Sequence, residues 1–283
     1  MSSALVAVAH GSRDPRSAAT VAALVDEVRR QRPGLDVRLS FLDLSAPRLP
    51  DVLDAVAADG HRSAVVVPLL LGHAFHARVD VPGAVTQAAA RLPGLDITIS
   101  PVLGGHRGLS TAALRRLSAA LTADPARRST TLMADPASRS AALMADPASR
   151  SAVTGPLHDP GLGVVLAAIG SSHAPANAAV ADLVAGWTRR FGWHGGSAAF
   201  ATTTAPTVSQ AVADLRASGA RRVAVAQWIL APGLLPDRII RDATAAGASV
   251  TAALGADPDV ARAILARYDA QIAAKPLSRN LIA

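Results

Sequence analysis

Two tandem α/β domains, each a mainly parallel sheet with helices on both faces, are predicted by three features of this 283-residue sequence. Short apolar runs alternate with longer stretches whose apolar residues recur at helical spacing, the order that builds a parallel sheet covered by crossover helices. The pattern then repeats: GSRDPRSAATVAALV (11–25) lies over GSSHAPANAAVADLV (170–184), and FLDLSAPRLPDVLDAV (41–56) over FATTTAPTVSQAVADL (200–215), both at an offset of 159 residues. Half of the residues are apolar, enough to bury a sizeable core in each domain.

The elements follow in order. The run LVAVA at 5–9 is too short for a helix and stops at His10, so a first strand is expected there. A helix is expected over 16–31, a second strand over 37–42, and a second helix over 50–59, opening at Pro50. The unbroken apolar run AVVVPLLL predicts a third strand over 64–71. A helix over 82–91 and a fourth strand over 97–103 complete the unit, and strands near 163–169, 197–202, 222–230 and 249–254 repeat it. Between the halves, ADPARRSTTLM, ADPASRSAALM and ADPASRSAVTG form three eleven-residue repeats over 123–155. Each contains Asp-Pro, and the residue before a proline is biased away from helical angles, so a surface linker is expected. The domains are accordingly placed at 1–122 and 158–283, with 123–157 as the linker.

Composition excludes several chemistries. With no cysteine there are no disulfides, thiolate metal sites, iron–sulfur clusters or cysteine nucleophiles, and any metal must bind histidine, carboxylate or water. The net charge of +7 is spread along the chain, Lys275 is the only lysine, and no basic stripe alternates with aromatic residues. Nucleic acid is therefore not an expected partner. Dispersed arginines instead suit a protein that meets an acidic small molecule. MSSALVAVAH lacks the basic start and long apolar segment of a signal peptide, and a cytoplasmic protein is expected. Residues 163–181 carry no Asp, Glu, Lys or Arg, but Gly163, Gly170, His173, Pro175 and Asn177 argue against a membrane span.

In an open parallel sheet, ligands bind beyond the carboxyl ends of the strands. His10 closes the first strand, Asp43 the second, His73 and His76 follow the third, and His106 follows the fourth. Each has a plainer explanation. A strand-end histidine is often just hydrogen-bonded in place, Asp43 can cap the helix begun near Pro47, and His106 can be a loop residue. Arg78 and Asp80 read as a positioning pair or as solvated loop charges. Convergence on one sheet edge favours function, with His76 preferred over His73. The second half is an internal control: at the same offset His10 becomes Ile169, Asp43 becomes Thr202 and His76 becomes Leu235, while the apolar pattern survives. The second domain is therefore expected to be catalytically silent.

AHGSRDP at the first strand end, FLDL and SAP at the second, and PLLLGHAFHARVDVP at the third resemble the sirohydrochlorin chelatases, within the class II tetrapyrrole chelatases, in their fused two-domain form. The resemblance implies two flavodoxin-like lobes facing each other across a cleft that holds an acidic, ring-shaped tetrapyrrole. It implies ATP-independent insertion of Fe²⁺ or Co²⁺, or Ni²⁺ in some relatives, with the metal a substrate and no tightly bound cofactor. The family's two motif histidines map onto His10 and His76, with His73 a further candidate ligand. Its usual glutamate is Asp43 here, one methylene shorter. A monomer with two pseudo-symmetric lobes is expected.

The chemistry suits these groups. Metal insertion must strip water from a divalent cation and remove the pyrrolic N–H protons, and imidazole near neutral pH can bind such a metal or accept a proton. Asp43 can orient an imidazole or relay a proton. Arg13 and Arg78 are the first candidates for binding substrate carboxylates in forked geometry, and the N–H groups of Gly11 and Ser12 at a helix entrance can hold another. A histidine phosphatase also places a histidine beside glycine after its first strand, but with an arginine before it, where this chain has Ala9. A tetrapyrrole or metal carrier is the non-enzymatic alternative.

Overall fold

The computed structural model describes residues 3–72, 79–123, 155–202 and 204–274. These fall into two compact units, drawn respectively from Met1–Ala112, Ile229–Leu234 and Ala253–Ala283, and from Ala113–Trp228 and Leu235–Ala252. All but the first and last residue of the three repeats lie outside the described residues.

The first unit holds a parallel sheet in the order β2-β1-β3-β4, from β1 (Ala4–Ala9), β2 (Val37–Phe41), β3 (Ser63–Pro68) and β4 (Asp96–Ile99). Every residue of β1 is buried, as a central strand covered on both faces requires. Successive side chains alternate between faces. Ala4, Val6 and Val8, with Ala64 and Val66, pack against α2 (Leu49–Ala58) and α3 (Val81–Arg91) through Leu49, Leu53, Val56, Val81 and Val85. Each fully buried Leu or Val adds about 1.5–3 kcal/mol of apolar transfer. α1 (Pro15–Gln31) starts where Asp14 accepts the Arg16 N–H at 2.9 Å and Pro15 takes the first turn, the position at which a missing N–H costs nothing. It buries Val21, Leu24, Val25 and Val28.

The second unit repeats the sheet as β6-β5-β7-β8, all parallel, from β5 (Leu162–Ala168), β6 (Gly195–Phe200), β7 (Arg222–Gln227) and β8 (Ser249–Val250). Its helices are α5 (Ala174–Phe191), α6 (Val208–Ala217) and α7 (Leu234–Ala245). The predicted fold class is the one observed. Strand pairing repeats at the same offset: Ala9 lies opposite Phe41 as Ala168 lies opposite Phe200, and Ala4 opposite Ala64 as Gly163 opposite Val223. β3 and β4 end sooner than expected. Past Pro68 and Ile99 the two segments keep backbone bonds such as Leu103 N–H to Leu70 at 3.0 Å, but no regular ladder.

Two helices do not follow the sequence halves. α4 (Arg107–Ala123) begins in the first unit and runs mostly in the second, where Arg222 donates to the Leu121 carbonyl at 3.4 Å. α8 (Pro258–Ala274) belongs to the first unit and packs on α1 and β3. It is tied by Tyr268 Oη donating to the Ser3 carbonyl at 2.6 Å and by Arg32 pairing with Asp269 at 2.7 Å. No helix among the described residues is long and apolar enough to cross a membrane.

Candidate active site

At the carboxyl edge of the first sheet the chain leaves β1 at His10, which is partly buried, and turns at once through Gly11 at φ +96°. Only glycine fits there. A Cβ on Gly11 would stand 1.6 Å from the Asp43 carbonyl oxygen, so the loop after β1 and the loop after β2 touch backbone to backbone. The contact is pinned by Asp43 N–H donating to the His10 carbonyl at 2.8 Å. Beside it, Ser12 N–H donates to Ser45 Oγ at 3.2 Å and Ser45 Oγ donates back to the Ser12 carbonyl at 3.1 Å. These bonds place His10 and Asp43 on neighbouring strand ends with their backbones in contact.

Asp43 is exposed and belongs to a tight turn. Its Oδ1 accepts the Leu44 N–H at 2.8 Å and the Arg48 guanidinium at 2.9 Å. The Leu44 N–H, then Arg48, and to a lesser degree His10, hold its carboxyl below the usual carboxylate range. At neutral pH it is an anion beside an imidazole. It does not cap α2: the cap position is Arg48, which makes no side-chain cap bond.

The remaining expected site residues divide. Ser12 N–H is already committed to Ser45, and Ser12 Oγ accepts the Asp14 N–H at 3.0 Å, so this backbone group closes the loop rather than standing open to a ligand. Arg13 is exposed at the mouth of the same loop. His73, His76 and Arg78 lie outside the described residues. His106 is separate: it lines a cavity of about 600 Å³ with Gln31, Arg32, Arg107, Asp259, Arg262 and Asp269, to which neither His10 nor Asp43 contributes. Gln31 and Arg32 stand at the end of α1 remote from His10, roughly 24 Å along the helix. His106 Nδ1 accepts the Gly108 N–H at 3.1 Å, and burial, followed by Arg267 and Arg107, lowers its pKa. The expectation that all four strand ends contribute to one edge is corrected here: the chain turns after β4 and carries His106 to another cavity.

The second unit rebuilds the same edge with Ile169 and Thr202 in place of His10 and Asp43. Thr202 N–H donates to the Ile169 carbonyl at 3.1 Å, the counterpart of the Asp43–His10 bond, and Gly170 turns at φ +91° as Gly11 does. Ala46–Pro47 and Ala205–Pro206 are both cis, and each proline carbonyl accepts from the phenylalanine that ends the second strand, Phe41 at 2.9 Å and Phe200 at 3.0 Å. The backbone is kept and the two side chains are changed.

The pairing of His76 with Leu235 does not hold. The offset is intact at Leu69 and Trp228, which donate to Val8 and Ala167, but Leu103 bonded to Leu70 corresponds to Leu254 bonded to Ile229, an offset of 151 at Leu103. Twelve residues, 69–80, connect β3 to α3, whereas six, 228–233, connect β7 to α7, and Leu235 is already inside α7. The second copy has a shorter connection rather than a replaced histidine. The prolines were the available signal: aligning Pro82 with Pro236, each in the first turn of its helix, reveals the gap.

Fold and site together define a duplicated parallel α/β protein in which His10 and Asp43 stand at one strand edge and Ile169 and Thr202 at its counterpart. The chain belongs to the CbiX family, whose model matches residues 4–120 and again 163–271. It is 29% identical over 117 residues to the sirohydrochlorin ferrochelatase of Bacillus subtilis, covering 41% of this chain and 45% of that one. It is 33% identical over 79 residues to the sirohydrochlorin cobaltochelatase of Methanopyrus kandleri, covering 28% and 55%. The chain thus spans about half the length of these relatives. Among solved structures, SirB from Bacillus subtilis with Fe³⁺ matches with a TM-score of 0.72 at 21% identity over 95% of both chains. CbiX, the terminal enzyme for biosynthesis of siroheme in denitrifying bacteria, matches with a TM-score of 0.58 at 20% identity over 94% of this chain and 98% of that one. At those identities the likeness is one of fold.

Proposed function

We propose that this protein is a cytoplasmic, ATP-independent chelatase that inserts Fe²⁺ or Co²⁺ into sirohydrochlorin, in siroheme or cobalamin biosynthesis. The observation that carries the reading is the contrast between the copies: the same strand-end backbone bonds hold His10 and Asp43 in one and Ile169 and Thr202 in the other. A requirement of the fold alone would have kept the same groups in both.

In this mechanism His10 presents the metal over the ring and takes up a pyrrolic proton, together with His76 from the segment between β3 and α3, with His73 as a further ligand candidate. Asp43 is held as an anion by Leu44 and Arg48, and steadies the imidazolium that forms when His10 is protonated. Arg13 and Arg78 take the ring's carboxylates in forked geometry, and Gly11 serves by letting the two loops meet. The metal is consumed as substrate, no cofactor is retained, and the protein acts as a monomer. The two copies, 1–122 and 158–283, are joined by the linker 123–157.

The test is an anaerobic spectrophotometric assay of sirohydrochlorin with Fe²⁺, Co²⁺ and Ni²⁺ separately, using catalytic amounts of the parent and of His10→Ala. The parent is expected to accelerate insertion over many turnovers, and His10→Ala to lose most of the rate while remaining folded. Acceleration by His10→Ala equal to the parent, or stoichiometric binding without turnover, would overturn the proposal.

A further inference from the structure

Asp43 is a short acid on an exposed loop, its side chain more than half open to solvent, where a free carboxylate samples several rotamers. Here it does not swing free. Oδ1 is held on one side by the Leu44 N–H and on the other by Nη1 of Arg48, at 2.8 and 2.9 Å. The same Nη1 donates to the Leu42 carbonyl at 2.8 Å, so Arg48 grips the backbone and the carboxylate together. Its own Cα is fixed, because Arg48 forms a bridge with Phe41 at the end of β2 and is the cap residue of α2. Among the described residues Oδ2 of Asp43 accepts no hydrogen bond.

The second copy makes the pairing informative. Arg48 corresponds to Thr207 at the offset that holds through both loops. Thr207 caps its helix, accepting the Gln210 N–H at 3.3 Å in a complete capping box, whereas Arg48 supplies no cap bond to α2. The acid and the arginine are present together in one copy and absent together from the other. The arginine stands where a helix would be better served by threonine.

Resting on the reading of Asp43 as part of the catalytic set, we infer that Arg48 is a positioning residue for it. Arg48 locks one carboxylate oxygen and leaves the other presented at the strand edge beside His10. It acts through Asp43 and not on the substrate.

The test is a mutant cycle in the full chain, measured by steady-state insertion into sirohydrochlorin with whichever of Fe²⁺ or Co²⁺ the parent turns over, and by thermal unfolding. Arg48→Gln is expected to lower kcat about tenfold at unchanged KM, the low end for loss of an orienting partner because this pair is exposed. Arg48→Lys should recover most of the rate. Arg48→Thr, which restores the cap found in the second copy, should be at least as stable as the parent yet as slow as Arg48→Gln, separating positioning from folding. In an Asp43→Asn background, Arg48→Gln should have no further effect. A raised KM with kcat intact, an equal effect in both backgrounds, or no effect of Arg48→Gln while Asp43→Asn is slow would overturn the inference. Asp43→Asn turning over at the parent rate would instead remove Asp43 from the catalytic set, and this role for Arg48 with it.

Discussion

Replacing Gly11 by alanine tests whether the contact between the first two loops holds the site together. Gly34 is the matched control: its φ is +85° and a Cβ there meets nothing within 4 Å, so Gly34→Ala isolates the cost of a left-handed backbone, about 1–2 kcal/mol. Gly11 carries the same cost at φ +96°, and its Cβ would also stand 1.6 Å from the Asp43 carbonyl oxygen and 2.8 Å from the carbonyl carbon, neither of which can rotate away. The loops must separate, stretching the Asp43–His10 bond of 2.8 Å and the two Ser12–Ser45 bonds of 3.2 and 3.1 Å. At about 0.5–1.5 kcal/mol for each of these three bonds, added to the backbone cost, Gly11→Ala is expected to cost about 2.5–6.5 kcal/mol in all. Denaturant unfolding followed by far-ultraviolet circular dichroism reads both units. Tryptophan fluorescence reads only the second, since Trp187, Trp193 and Trp228 all lie there, and its transition should be unmoved. Insertion by the folded fraction should fall as well. A Gly11→Ala protein no less stable than Gly34→Ala, with the parent insertion rate, would refute the reasoning.

Two further outcomes follow from contacts away from the edge. The depressed pKa of His106 means that the unfolded chain takes up a proton more readily than the folded one. The corresponding stability is fully present above pH 6.5, the ordinary value, and is lost as pH falls through the lower folded value. His106→Gln should flatten that part of the stability profile, and thermal unfolding across pH values below 6.5 giving the same slope for both proteins would contradict it. Asn177 ties the second unit's turn by accepting the Ser171 N–H at 3.0 Å and donating to its carbonyl at 2.7 Å, so Asn177→Ala should cost about 1–3 kcal/mol. The loss should be seen in the tryptophan transition, with metal insertion by folded protein unchanged.

The parts of the fold legible in the sequence are those set by local pattern. AVVVP is a strand because a buried parallel strand needs an unbroken apolar run, and the 159-residue offset carried through to strand register because both copies keep the same apolar spacing. The placement of His10 and Asp43 at one edge was legible for the same reason: parallel strands put all their carboxyl ends on one side. What escaped was set by tertiary contact. The gap after β7 was masked because leucines occupy 234 and 235, so an ungapped comparison still looked apolar. Arg48 carried no signal of its own in the sequence, because its contact with Asp43 spans five residues across a turn with Leu44 at φ +61°. The removal of His106 from the edge depends on how the chain turns after β4 and on α8, which no local pattern connects to it.

The assignment of α8 to the first unit has a consequence for synthesis. Tyr268 bonds to Ser3 across 265 residues of chain, and α8 covers α1 and β3. The residues that begin the first unit leave the ribosome before the second unit, yet the helix that completes it leaves after the second unit. The second unit, apart from the six residues 229–234, is continuous from Ala113 to Ala252 and is ready earlier. Folding on the ribosome is therefore expected to finish the copy that carries Ile169 before the one that carries His10. During that interval the first sheet waits with the surface meant for α8 uncovered, the condition in which a nascent chain is most exposed to aggregation.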